Sequence, residues 1–193
     1  MKPELVTFDC AQTLVRVDWQ PSVIAVKSAS RAGLDFDRQV AAEVYDRKLR
    51  TRWPEFMELN LQRDEGVLAG FWHKLTVDWM QEVGMPTSQA DDVVREANAM
   101  LFGEGSGVFA LYDDVLPCLD SLRSAGFRMA VISNWDNSLH RTLRMFGLDA
   151  YFEGRPRTRA RCPRLATAQG RRRETNRAVH QRCRFGENTW RRA

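Results

Sequence analysis

The sequence predicts an α/β protein: a parallel sheet interrupted after its first strand by a long block of helices. Three observations lead there. Two short apolar runs, residues 4–8 and 128–132, each end on one polar residue, Asp9 and Ser133. The stretch between them is mostly helical in its spacing of apolar residues. The part around the second run alternates helix, strand and helix, the rhythm of a parallel sheet.

Each element has its own signal. The first strand, inside LVTFDCAQTLV, is a buried apolar run that breaks at Asp9. A helix is predicted over PSVIAVKSASRAGL, with Pro21 at its first position and a stop near Gly33. DFDRQVAAEVYDRKLRTRW spaces Val40, Val44 and Leu49 at roughly helical intervals. GVLAGFWHKLTVDWMQEVG and SQADDVVREANAMLF predict two more helices, separated by the turn signal GMPTS. DDVLPCLDSLRSAGF closes at Gly126 just before the second strand, RMAVI, and NSLHRTLRMFG follows that strand and closes at Gly147. A helical insert at this point of a parallel sheet sits at the carboxyl ends of the strands, where such sheets bind ligands.

The 193 residues make room for one domain, or one domain with an inserted lobe, and the 44% apolar content is ordinary for a globular core. There is no run of 18 apolar residues, so no membrane span is expected. The start, MKPELVTFDC, lacks the basic flank and apolar stretch of a signal peptide. The four cysteines, Cys10, Cys118, Cys162 and Cys183, form no CxxC pair and read as reduced thiols of a cytoplasmic protein. The net charge of +4 is split: residues 1–154 carry a balance of −7, whereas residues 155–193 hold 13 Arg against two acids. From residue 154 onward there is no sustained apolar period and no Lys or Asp.

The chemistry gathers at the strand ends. A carboxylate just past a buried strand can serve as a nucleophile, a metal ligand or both. Ser133 offers a hydroxyl at the matching end of the second strand, and Asn134 adds an amide. A phosphate between Asp9 and Ser133 would meet hydroxyl and backbone donors, with a cation to neutralise charge. The plainer alternative is that both residues merely end strands or cap helices. Trp53, Trp72 and Trp79 read more readily as core than as a substrate pocket. His73, on a helix without a clustered partner, reads as structural.

FDCAQTL resembles the first motif of the haloacid dehalogenase-like (HAD) hydrolase superfamily, and VISNWD resembles its second motif. YDDVLPCLDSLRSAGFRMAVISNWDNSLHRTLRMFGLDAYFEG is similar over its whole length to the branch with a helical cap inserted after the first motif. The resemblance covers roughly residues 1–153. It implies a Rossmann-like parallel sheet, here incomplete, with a discontinuous core (residues 1–15 and 108–153), a helical cap (16–107) and an Arg-rich tail (154–193). It also implies roles. Asp9 would be the covalent nucleophile and a Mg²⁺ ligand, and the Ala11 carbonyl would face the metal. Thr13 would support the loop, Ser133 would bind the transferred group, and Asn134 would line the site.

The sequence departs from that pattern. Family phosphatases carry a second Asp two residues after the nucleophile, where this chain has Ala11. Loss of a general acid costs roughly 10²–10⁴-fold in rate. Dehalogenating members lack that Asp too, but place another side chain there. The third motif, a Lys, and the acidic cluster of the fourth are missing from residue 154 onward. One reading of residues 154–193 is a basic disordered tail; the other is out-of-frame translation. Arg173-Glu174-Thr175 can be encoded AGA GAA ACC, and the next frame then reads Glu-Lys-Pro. On this reading β-strand 4–8 becomes a sheet edge, and the product is expected to be poorly soluble.

The resulting expectation is a Mg²⁺-dependent, phosphatase-type hydrolase of a small phosphorylated substrate, weak or inactive in this form. The alternatives are a noncatalytic HAD-like binding protein and a haloacid dehalogenase-type hydrolase. Last comes nucleic-acid binding through the Arg tail, which has the charge for phosphates but no recognition motif. Neither a membrane nor a nucleic acid is the expected partner.

Overall fold

The computed structural model describes residues 5–152 and the backbone of residues 157 and 158. The Arg-rich tail and the frameshift reading lie outside the described residues, save for that two-residue segment. In chain order the elements are β1 (Leu5–Phe8), β2 (Val15–Val17), α1 (Pro21–Arg31), α2 (Arg38–Asn60), α3 (Glu65–Glu82), α4 (Ala90–Phe102), β3 (Phe109–Leu111), α5 (Val115–Ser124), β4 (Arg128–Ser133), α6 (Leu139–Met145) and β5 (Arg157–Thr158). Short 3₁₀ turns at Thr87–Gln89 and Leu148–Tyr151 complete the chain.

The fold is mixed α/β with a small parallel sheet. Its strand order is β1-β4-β5, all parallel, with Phe8 opposite Val131 and Ser133 opposite Thr158. Parallel strands need long crossovers. Here α5 precedes β4 and α6 follows it. Both crossovers step the same way along the sheet, so right-handed connections put both helices on one face. Burial agrees with this. Met129 and Val131 of β4 are 2% exposed and share a core with Leu119 of α5 and with Leu139 and Leu143 of α6. On the opposite face Leu5 is 46% and Ile132 39% exposed. Among the described residues β1 pairs with β4 alone.

Helices α1 to α4 form a second core of their own, built on Leu49, Phe71, Leu75, Trp79 and Met80. Asp37 and Asp64 cap α2 and α3, each accepting two backbone N–H groups. Trp79 is fully buried, and its indole N–H donates to the Ala41 carbonyl at 2.8 Å. Tyr45 meets the same ring edge-on at a centroid distance of 5.3 Å.

Two features differ from the expectation. The helix expected over DFDRQVAAEVYDRKLRTRW extends further, and α2 runs through Pro54 to Asn60. Proline removes a helical hydrogen bond and crowds the preceding turn. Beyond it, however, Phe56 is 4% exposed among Trp53, Phe71 and Trp72, and that burial carries the helix on. The other is a ribbon between the sheet and the helices: β2 pairs antiparallel with β3, Val15 opposite Leu111 and Val17 opposite Phe109. The Asp18 N–H donates to the Val108 carbonyl at 2.8 Å and extends the ribbon. The chain therefore leaves for the helices and returns from them through two adjacent strands. Among the described residues no helix is long and apolar enough to cross a membrane.

Candidate active site

The parallel register fixes the site's frame. Phe8 lies opposite Val131, so Asp9, one residue on, and Ser133, two residues on, leave the sheet at the same edge. Asp9 is exposed, and its Oδ1 accepts the Cys10 N–H at 2.7 Å. The turn that follows is wound about one oxygen. The Cys10 carbonyl accepts the N–H groups of Thr13, Leu14 and Val15 at 3.2, 2.9 and 3.0 Å. Leu14 and Val15 fall into the core as a result, at 3% and 0% exposure.

Gln12 closes that turn in the left-handed region, with φ of 58°. Such a backbone costs a non-glycine residue roughly 1–2 kcal/mol. Its side chain makes two bonds in return. Nε2 donates to the Val17 carbonyl at 3.0 Å, and Oε1 accepts from the Tyr112 hydroxyl at 3.0 Å. At roughly 0.5–1.5 kcal/mol each, they offset the backbone cost.

Ser133 is 2% exposed, and its Oγ is buried without a hydrogen-bond partner. The same holds for the Nδ2 of Asn137, four residues on. Buried polar atoms are normally paired, and each orphan costs about 1–3 kcal/mol. Both orphans lie at or just past the end of β4, and each has a hydrogen bond left to give. The loop between them is held firmly. The Trp135 indole donates to Ser138 Oγ at 3.0 Å, and the Ser138 N–H donates to Asp136 Oδ1 at 2.8 Å. Sequence reasoning named Ser133 and missed Asn137, because an Asn in a polar turn carries no signal of burial.

The other expected residues are placed as follows. Thr13 is exposed at the far side of the turn, Asn134 is exposed just past β4, and Ala11 is half-buried and bridges to Val15. Cys10 is buried beside Asp9. Burial foremost, and the Asp9 charge second, push its thiol up to about 12, so it is no nucleophile. Of the tryptophans, Trp79 is core, but Trp53 is 38% exposed, with Trp19 (37% exposed) at 6.1 Å and Trp72 against both Trp19 and Phe56. His73 has a partner after all: its Nε2 lies 3.0 Å from Asp91 Oδ1, on an exposed surface.

A resident Mg²⁺ needs near-octahedral oxygen donors, with one or two carboxylates among them. Among the described residues no group of three or more His, Cys, Asp and Glu converges. Asp9 and the Ala11 carbonyl are what the turn offers, one carboxylate and one carbonyl toward such a set.

No protein-family model matches the chain, and no curated protein matches it. Solved structures do. A predicted phosphoglycolate phosphatase from Haemophilus somnus is similar at 18% identity and a TM-score of 0.40, over 77% of this chain and 60% of that one. A 2-haloacid dehalogenase from Pseudomonas syringae pv. tomato is similar at 21% identity and a TM-score of 0.46, over 77% of this chain and 61% of that one. A third, described as a dehalogenase, has 19% identity and a TM-score of 0.41, over 76% and 58%. The chain spans about three fifths of the length of these proteins.

Proposed function

We propose that the chain carries the nucleophile side of a HAD-like hydrolase site. Asp9 attacks the electrophilic atom of a small substrate as the leaving group departs on the opposite side, and water then hydrolyses the aspartyl phosphate, or the aspartyl ester of a carbon electrophile, to free Asp9. Ser133 Oγ, with Asn137 Nδ2, donates to an oxygen of the group under attack. The helices between β2 and β3 act as a cap over that end of the sheet. A phosphoryl group is the first-choice electrophile, and a halogen-bearing carbon is the alternative. The observation that carries this reading is the shared strand edge, where an exposed carboxylate and a buried, unpartnered hydroxyl emerge from neighbouring parallel strands.

Turnover in this form is feeble. Ala11 supplies no proton to the leaving group, so the departing group lacks a general acid from that position. Asp9 and the Ala11 carbonyl would hold Mg²⁺, and two protein donors make that binding weak. Isothermal titration of the full chain with MgCl₂ should therefore give no saturable heat up to millimolar concentrations. A tight, stoichiometric isotherm would mean that further donors complete the metal site. A noncatalytic binding protein is the second reading, favoured by Ala11. The two separate in one experiment on the full chain, with p-nitrophenyl phosphate and 2-chloropropionate as substrates. Slow release of phosphate or chloride that vanishes in Asp9→Asn supports the hydrolase. No release from either, with inorganic phosphate still bound by wild type and lost in Ser133→Ala, supports binding alone.

A further inference from the structure

We infer that Gln12 is a positioning residue, a brace that ties both strands connecting sheet and helices to the turn after Asp9. The reading does not rest on the proposed hydrolase. The chain leaves the sheet through β2 and returns through β3, and these two short strands are hydrogen-bonded to each other. A three-residue ribbon is marginal by itself. Gln12 touches both sides of it. Its amide N–H donates to the carbonyl of Val17, the last residue of β2, and its amide oxygen accepts from Tyr112, the residue that follows β3. Its own backbone N–H donates to the Val15 carbonyl at 2.8 Å. One side chain thus spans the exit and the re-entry.

The backbone supports the same conclusion. Gln12 and Arg63 are the non-glycine residues with positive φ among those described. Glycine is the residue that fits such a turn at least cost. A glutamine there sacrifices backbone ease, and what it gains is the pair of amide bonds. Only an amide of this length offers a donor and an acceptor at once; a carboxylate or a thioether of similar size offers one or neither.

The test is amide hydrogen exchange, resolved by peptide, on the full 193-residue chain. In Gln12→Met the ribbon amides of Val15–Val17 and Phe109–Leu111 should exchange about tenfold faster, while β4 exchanges as in wild type. Gln12→Gly should loosen the ribbon as much, even though its backbone is relieved and its Tm is no lower than that of Gln12→Met. Tyr112→Phe should loosen it less, and should add nothing to Gln12→Met. Gln12→Glu keeps the acceptor for Tyr112 but regains the donor to Val17 only when protonated. Its ribbon should therefore tighten as pH falls through the carboxylate range, a profile absent from Gln12→Met. Unchanged ribbon exchange in Met and Gly overturns the brace. So does simple additivity of the Tyr112 and Gln12 changes, or a Glu variant flat with pH. Should Gln12→Met not fold, Tyr112→Phe and Gln12→Glu still decide the matter.

Discussion

Ser133 is where one side chain shows the tension between stability and use. A buried hydroxyl without a partner destabilises the fold that holds it. Ser133→Ala should leave Tm unchanged or raise it, by up to about 1 kcal/mol of stability, in a thermal melt. Thr142→Ala is the control. Thr142 is equally buried, but its hydroxyl donates to the Ser138 carbonyl at 3.1 Å, so its loss should lower Tm. Cys10 makes a second prediction at this scale. Its thiol is held neutral well above the ordinary value, with burial the larger cause and Asp9 the smaller. A raised value in the folded state means stability that is complete below the unfolded thiol's pKa and declines as pH rises from 9.0 toward about 12. In the native chain at pH 8, iodoacetamide should alkylate the exposed Cys118 and spare Cys10, as peptide mapping would read. Asp9 and Ser133 were legible in the sequence, because each ends an apolar strand. Asn137 and the Gln12 brace were not. Their roles depend on burial and on partners up to a hundred residues away, which local pattern does not encode.

At the scale of elements, apolar periodicity identified the helices well, since it reports directly on which face meets a core. It did not reach past Pro54, where local propensity says stop and aromatic packing says continue. It failed at β2 and β3, three residues each, too short to show alternation and paired across the whole helical block. The second core makes a prediction of its own. Trp79→Ala removes a fully buried indole, its hydrogen bond to Ala41 and its edge contacts with Phe36 and Tyr45. The cost should be about 3–5 kcal/mol. Circular dichroism should show an early loss of helix, because the helices depend on that centre.

For the molecule as a whole, the one-sided winding of β1, β4 and β5 matters most. Parallel sheets are ordinarily covered on both faces. Here the face bearing Leu5 and Ile132 is open, and the β1 edge is unpaired among the described residues. Such a surface invites association. Light scattering of Ile132→Glu should show less aggregate than wild type at equal concentration, with Leu5→Lys acting in the same direction. Parity of all three would mean that this face does not drive association. The sheet's existence was readable from two apolar runs and the helices between them. Its open face was not, because it follows from the handedness of two crossovers rather than from any one segment.

The same wiring also sets a schedule. Phe8 finds its partner Val131 only after more than a hundred further residues have been made. At ribosomal speeds of about 5–20 residues per second, that is roughly 6–25 s. The helices in between pack on one another, α1 against α4 included, so their core is complete once α4 has emerged, before β4 is made. During synthesis, then, a folded helical lobe trails a naked apolar strand at its leading end. That interval is when a chaperone would find Leu5–Phe8.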